Sequence, residues 1–356
     1  MKVVIFSYFD LTKVYGAVWT VARFLQNRGC EVEVVYLGAH ARCSDDSGIS
    51  VNIVAAGATS GWKRAVAALG AAWRARAARA DAILLIGGRS VLFGLPLWKV
   101  QRARTAVLAY ELEGDSTIER VANWLIRSID ILVDVNRHRA RIRRRVARAP
   151  DLVVRNVPDS VTQAQINALR ATPRTPSANK LMYGGLIATY QGISLLVSAF
   201  ARSSATELEL IGPVVDPKYV DRLRKIALPH DKTLVISPAV PRAELMQRLW
   251  SEAAALVCLY PVPAEAGRMG KLNVRYAEPT KFYEFLLLGL PLVSTRHPSL
   301  PTDLPGVFVS EEDEASLAEA IDSALAYSSS NLGRAVDRAI ELPSYEDQLE
   351  RLLALL

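Results

Sequence analysis

Short runs of apolar residues recur along almost the whole chain, and most are followed by a stretch with helical spacing. Strands buried on both faces of a parallel sheet read as such continuous runs, without alternation. Residues 2–9 predict a buried strand and residues 10–16 a loop. A helix follows that buries Val18, Val21, Ala22 and Leu25 at i, i+3, i+4 and i+7. Gly29 ends it, and residues 31–37 form the second strand. Further strands are expected at 50–54, 81–87, 105–110, 130–135 and 151–154. Near Asn156 the pattern loosens into a polar segment containing Pro158, Pro173 and Pro176. It restarts with a strand at 180–185, a helix at 192–201, and strands at 207–212, 233–237, 254–260 and 290–295. Residues 344–356 predict a closing helix with Leu349, Leu352 and Leu353 on its apolar side.

Strands alternating with helices imply an α/β fold with parallel sheets and crossover helices. The 356 residues suffice for two such domains, doubly wound and Rossmann-like. The expected division is 1–155, a connection at 156–178, a second domain at 179–335, and 336–356 packing back towards the N-terminal domain. Two doubly wound domains facing a cleft place a ligand at the carboxyl ends of their strands.

Hydrophobic residues make up 51% and charged residues 22%, the balance of a protein with a sizeable core. The formal net charge of +7 suggests an anionic partner. Cys30, Cys43 and Cys258 have no CxxC spacing and are odd in number, which argues against a disulfide framework and for a reducing compartment. The first ten residues read as a core strand and a poor secretory signal. The uncharged stretch Phe285–Thr295 is too short to span a bilayer. A cytoplasmic location is therefore expected. His40, His138, His230 and His297 show no metal-ligand spacing, and Asp45 and Asp46 read as a solvated turn, so no metal is expected.

Residues 276–295 carry the most chemical information. Pro279 opens a helix, where its missing N–H costs nothing. Lys281 and Glu284 share one face near the helix start, and Gly289 ends it. A lysine at a helix N-terminus opposes the macrodipole unless an anion sits there. A carboxylate one turn later can accept hydrogen bonds from a ribose diol. An ordinary solvated Lys–Glu pair has the same spacing.

In the first half, four acidic residues follow the strand that ends at Tyr110: Glu111, Glu113, Asp115 and Glu119. A carboxylate there could take a hydroxyl proton; equally, it could favour the start of the next helix. Arg137, Arg141, Arg144 and Arg148 recur at i, i+4, i+7 and i+11, with Arg139, Arg143 and Arg145 beside them. The stripe is either a solvated face or a contact for an anionic membrane surface. Trp62, Val66, Leu69 and Trp73, ringed by basic residues, would suit an interface helix or a helix packed on a sheet. The arginine stripe lacks the interleaved aromatics of a nucleic-acid module, so no nucleic acid is expected.

Pro279, Lys281, Glu284, Gly289 and Pro291 resemble the nucleotide-binding helix of the retaining, family-4-like (group 1) glycosyltransferases with the GT-B fold. Residues 181–201 are similar to the first strand, glycine loop and helix of that family's C-terminal domain. The resemblance covers most of residues 150–310. It implies that Glu284 binds the nucleotide ribose and Lys281 the diphosphate, with Gly184, Gly185, Arg275, Tyr276 and Thr280 in the same nucleotide-sugar site. It matches Gly16 to the loop near the donor phosphates, and Glu113 to the family's histidine at the strand end, with Glu111 beside it as a second catalytic candidate.

Two departures stand out. Tyr276 occupies the first position of the family's E-x7-E pair. Leu186 and Gln191 stand where relatives carry the basic pair that touches the diphosphate. Lys281, Arg268, Lys271 and Arg275 are the candidate substitutes, the last three in or beside a polar loop with two glycines.

The resemblance implies a retaining glycosyltransferase. It would move a sugar from a UDP-, GDP- or other NDP-sugar to a saccharide, lipid-linked or small-molecule hydroxyl, with no cofactor beyond that donor substrate. A nucleotide-sugar epimerase or a non-catalytic binding subunit would share the fold.

Overall fold

A computed structural model describes residues 1–7, 15–37, 49–54, 79–94, 103–110, 116–226, 229–262, 268–301, 303–327 and 343–356. The chain forms two compact units. The first comprises Met1–Asn156, Gly267–Asn273 and Ser344–Leu356; the second comprises Val157–Ala266 and Val274–Pro343.

In the first unit the strands are β1 (Lys2–Ser7), β2 (Glu31–Leu37), β3 (Ser50–Val54), β4 (Ala82–Ile86), β5 (Arg104–Ala109), β6 (Ile131–Asp134) and β7 (Leu152–Val153). They form one parallel sheet in the order β3-β2-β1-β4-β5-β6-β7, with Lys2 opposite Glu31 and Val3 opposite Ala82. The helices are α1 (Tyr15–Asn27), α2 (Gly88–Phe93), α3 (Thr117–Ile126) and α4 (Arg137–Val146). Every residue of β4 is fully buried, as the unbroken apolar run requires of a strand covered on both faces. Helix α1 buries Val18, Val21, Ala22 and Leu25, the four positions its spacing predicts.

In the second unit the strands are β8 (Lys180–Gly184), β9 (Glu207–Ile211), β10 (Thr233–Ser237), β11 (Ala255–Cys258), β12 (Leu292–Thr295) and β13 (Val307–Ser310), in the parallel order β10-β9-β8-β11-β12-β13. The helices are α5 (Ser160–Arg170), α6 (Ile193–Arg202), α7 (Pro217–Arg224), α8 (Arg242–Glu252), α10 (Thr280–Leu288) and α11 (Glu314–Ala326); α9 (Arg268–Arg275) belongs to the first unit up to Asn273 and to the second from Val274. Helix α5 lies inside the segment that reads as a connection; Asp159 caps it by accepting from the Thr162 N–H at 2.7 Å. Helix α9 lies where two glycines suggested a loop, and it accommodates Gly270 within a turn. Strand β13 and helix α11 had no distinctive sequence signal.

The closing helix α12 (Tyr345–Leu355) belongs to the first unit. Leu349 and Leu352 are buried, and a Ser344–Asp347 capping box starts it. Gln348 Oε1 accepts from the Arg155 N–H at 2.7 Å, and the Tyr345 and Tyr110 hydroxyls lie 2.7 Å apart. Burial pushes the Tyr345 phenol up to about 12.

Candidate functional site

In both sheets the direction of winding reverses beside the first strand. In the second unit β8, β9 and β10 run one way and β11, β12 and β13 the other, so the switch point lies between β8 and β11. Ligands of open α/β sheets bind outside the carboxyl ends of the strands at such a point. Here Gly184 ends β8, Gly185 follows it, and Tyr260 lies just beyond β11.

Two glycines shape this edge. Gly212, at φ +158°, lies so close to the preceding crossover that a Cβ would fall 1.8 Å from the Gly185 carbonyl oxygen. A Cβ on Gly185, at φ +154°, would lie 3.1 Å from the Tyr183 hydroxyl and 3.2 Å from Lys281 Nζ. A side chain on Gly185 would crowd the ammonium, so the glycine leaves it room.

Lys281 comes from the first turn of α10. Its Nζ lies 4.9 Å from the Tyr183 ring centroid and 5.1 Å from that of Tyr260. Burial pushes its pKa down, while Cys258 and Glu284 pull it back up. Cation–π contact offsets part of the desolvation cost. Both rings are fixed. The Tyr183 hydroxyl donates to the Leu186 carbonyl at 3.0 Å. The Tyr260 N–H donates to Thr295 Oγ1 at 2.9 Å, and its ring packs edge-on to His297. Cys258, buried between them, has its thiol pushed up by desolvation.

Helix α10 presents an N-terminus without a side-chain cap. Pro279 is its N-cap residue and Thr280 its first helical residue, so the proline stands one place earlier than the sequence suggested. The preceding turn is closed by Glu278, which is buried and accepts from the Tyr283 hydroxyl at 2.6 Å. The Phe282 N–H donates to the Pro279 carbonyl at 3.1 Å; the other N–H groups of the first turn and the adjacent ammonium make a site for an anion.

Glu284 lies one turn further on, its side chain 9% exposed, and accepts from Arg242 Nη2 at the start of α8. Burial pushes its carboxyl up, Arg242 pulls it down most strongly, Asp159 adds to the rise and Lys281 opposes it.

The structure thus brings Gly184, Gly185, Lys281 and Glu284 to one edge, with Thr280 beginning the helix that carries the last two. Arg275 is exposed at the end of α9, its guanidinium 5.9 Å from the Tyr276 ring centroid in the following turn. Lys271 is exposed, and Arg268 begins α9. Leu186 and Gln191 are half-buried, and the cation beside the glycine loop is delivered instead by α10. Sequence reasoning missed Tyr183, Tyr260 and Arg242. The tyrosines sit at strand ends beside the switch point, a signal that could have found them. Arg242 has no local signal, being 42 residues from Glu284.

In the first unit Gly16 lies in the opening turn of α1, after β1. Glu111, Glu113 and Asp115 lie outside the described residues, as do Asp45, Asp46 and the Trp62–Trp73 segment. Glu119 belongs to a capping box with Ser116 and pairs with Arg89 at 2.7 Å. The arginine stripe divides. Arg137, Arg141 and Arg144 are exposed. Arg148 donates to Asp151 and to the Ile129 and Asp130 carbonyls. Arg143, taken from the sequence as a flank of the stripe, is fully buried and pairs with Asp134 at 2.7 Å. Among the described residues no cluster of histidine, cysteine, aspartate and glutamate could hold a metal, and no helix is long and apolar enough to cross a membrane.

No protein-family model and no curated protein sequence matches the chain. Solved structures do. Sucrose-phosphate synthase from Thermosynechococcus elongatus is similar over 100% of this chain and 98% of its own, with 16% identity and a TM-score of 0.71. Anabaena HepE in complex with UDP and glucose is similar over 100% of both chains, with 15% identity and a TM-score of 0.74. A glycosyltransferase from Rickettsia africae is similar over 99% of this chain and 97% of its own, with 13% identity and a TM-score of 0.75. The chain has the fold of these proteins, the α/β GT-B architecture of two parallel sheets with flanking helices.

Proposed function

We propose that this protein is a retaining glycosyltransferase that moves a sugar from a UDP-, GDP- or other NDP-sugar to an acceptor hydroxyl. The observation that carries the reading is Lys281 Nζ, held over two tyrosine rings beside Gly185 at the switch point, with Glu284 one turn later on the same helix. Lys281 and the open N-terminus of α10 bind the donor diphosphate, and Glu284 accepts from the ribose hydroxyls. The similar structures include HepE in complex with UDP and glucose, which fits a nucleotide-sugar donor. Retention follows from the family resemblance.

The leaving group is a nucleoside diphosphate, and its departure leaves an oxocarbenium-like sugar. Fixed cations and helix N–H groups stabilise the charge that develops on the leaving phosphate. The donor is a substrate, and the reading includes no separate cofactor. Gly184, Gly185, Arg275, Tyr276 and Thr280 complete the donor site, and Gly16 approaches its phosphates. Glu113, with Glu111, takes the acceptor proton or orients the acceptor. The acceptor hydroxyl belongs to a saccharide, a lipid-linked saccharide or a small metabolite. The protein works in the cytoplasm, and the arginines of α4 hold it peripherally against the anionic inner face of the cell membrane.

Leu186 and Gln191 at usually basic positions favour a second reading, a binding subunit without turnover. Donor and acceptor panels separate the readings. Acceptor-dependent NDP release with a new glycoside by mass spectrometry supports the transferase. Acceptor-independent conversion of the donor would make it an epimerase, and tight binding without turnover would make it a binding subunit. Glu113→Gln lowers turnover more than donor affinity; full activity in that variant removes Glu113 from catalysis.

A further inference from the structure

Two neighbouring helices of the first unit share an outer surface that is apolar and basic at once. Strands β5, β6 and β7 are adjacent in that order, and α3 and α4 are the successive crossovers between them. Right-handed crossovers taken in one direction lie on the same face of a sheet, so the helices lie side by side. Their carboxyl ends are fastened together. Arg127 Nε donates to the Ala147 carbonyl at 3.1 Å, and Arg148 Nη2 donates to the Ile129 carbonyl at 3.0 Å.

Helix α3 turns Ala122, Leu125 and Ile126 into the core. On its other side Ile118, Val121 and Trp124 are 55%, 39% and 63% exposed. The three stand at i, i+3 and i+6 and make one ridge. On α4, Arg139 and Arg143 are buried, while Arg137, Arg141, Arg144 and Arg145 are exposed. Arg120 is exposed on α3. The side chains of these five exposed arginines make no ion pair or hydrogen bond with a described residue. The acid on these helices is Glu119, which is already held by Ser116 and Arg89.

A solvated basic face has no use for an apolar ridge, and a nucleic-acid backbone would engage the arginines alone. An anionic bilayer takes both. Tryptophan and aliphatic side chains enter the region between headgroups and acyl chains. Arginines at the same level meet lipid phosphates.

We propose that α3 and α4 form a one-sided insertion face for an anionic membrane: Ile118, Val121 and Trp124 enter the interface while the exposed arginines bind headgroup phosphates. This deepens the peripheral contact proposed above and rests on it for the arginines; the ridge is a separate observation. Salt weakens the attachment without removing it, because screening reaches the charges and not the buried apolar surface.

The test uses the full chain and phosphatidylcholine vesicles with and without phosphatidylglycerol. Co-sedimentation is expected with the anionic vesicles and falls in part at high salt. Ile118→Ser with Trp124→Ser lowers partitioning roughly tenfold at every salt concentration while leaving nucleotide-sugar binding and the melting temperature unchanged. Arg137, Arg141 and Arg144 replaced by Ser remove the salt-sensitive part. Trp124→Phe keeps binding but loses most of the fluorescence quenching by brominated lipid. Unaltered partitioning in the Ile118/Trp124 variant, with unaltered quenching in Trp124→Phe, would overturn insertion and leave a purely electrostatic contact. No binding to any vesicle would overturn both. Retention by RNA without binding to vesicles would assign the face to a nucleic acid and also overturn the proposal. None of these outcomes bears on sugar transfer.

Discussion

Arg242 donates from Nη2 to Oε1 of Glu284, joining the start of α8 to the second turn of α10 across 42 residues of sequence. Arg242 is half exposed and Glu284 buried. A buried carboxylate without a cation would hold its proton and offer a weaker acceptor to a sugar diol. The arginine therefore aims the carboxylate and opposes the rise in its pKa that burial causes.

The first prediction follows from that pair. Burial raises the Glu284 pKa above 4.5 and Asp159 adds to the rise; Arg242 and Lys281 oppose it. Nucleotide affinity should fall as pH drops through the raised value. Arg242→Ala should move the fall to higher pH, and Arg242→Lys should restore part of it. Stability runs the opposite way: the folded state binds a proton above pH 4.5, so relative to Glu284→Gln it weakens as pH rises through that window. Calorimetry with a nucleotide panel across pH reads the affinity. Tighter binding by Arg242→Ala at every pH would show that the arginine competes with the ligand.

Lys281 should show a trade between stability and binding. Desolvation depresses its pKa below 10.5, so the unfolded chain binds more protons in that window and stability rises with pH there. Lys281→Met should leave the protein as stable or more so, because a long apolar side chain suits the space between Tyr183 and Tyr260. Donor affinity should fall by about 1.5–3 kcal/mol, the worth of a charged hydrogen bond. Thermal melts and calorimetry on the same samples check both halves. Unchanged affinity would take Lys281 out of the donor site.

Arg143 and Asp134 form an ion pair at 2.7 Å with both side chains fully buried. Removing one partner strands the other charge, so Arg143→Ala should cost about 3–5 kcal/mol. Arg141→Ala, on the exposed side of the same helix, should stay within about 0.5 kcal/mol. Urea unfolding separates the two. Similar losses in both variants would mean that the helix does not sit as described.

The start of α3 supplies a pH-dependent prediction. The Ser116 hydroxyl, then Arg89, hold the Glu119 carboxyl down to about 2. Its contribution to stability is present above pH 4.5 and is lost as pH falls from 4.5 to about 2. Ser116→Ala should cost about 1 kcal/mol at neutral pH. The difference from wild type should shrink in acid, since the cap and the lowered carboxyl depend on each other. A constant difference across pH would uncouple them.

The parallel strands were legible because a strand covered on both faces must be apolar at every position, as at Ala82–Ile86 and Ala255–Cys258. Helix α1 was legible because a single buried face leaves a regular spacing. Strand β13 was not: Val307, Phe308 and Val309 are half-buried at the edge of their sheet, and an edge strand needs no long apolar run. Helix α9 hid behind Gly270, because glycine has a low helix propensity, yet Arg268–Arg275 is helical.

For the site, the chain by itself determined the placement of Lys281 and Glu284 on one helix face, since residues three apart on a helix are neighbours. It also determined the parallel α/β architecture, through the period of its apolar positions. Only the tertiary structure decided what surrounds those two groups. Tyr183 and Tyr260 reach Lys281 because β8 and β11 are neighbours in the sheet, though far apart in sequence. Arg242 reaches Glu284 for the same kind of reason. Helical period alone placed Arg137, Arg141, Arg144 and Arg148 in one row, but α4 ends at Val146, before Arg148. Period gives the angle of each residue around the axis but does not say which angle faces the core. Asp134 at the end of β6 decides that, by drawing Arg143 inward and leaving Arg137, Arg141 and Arg144 to the solvent.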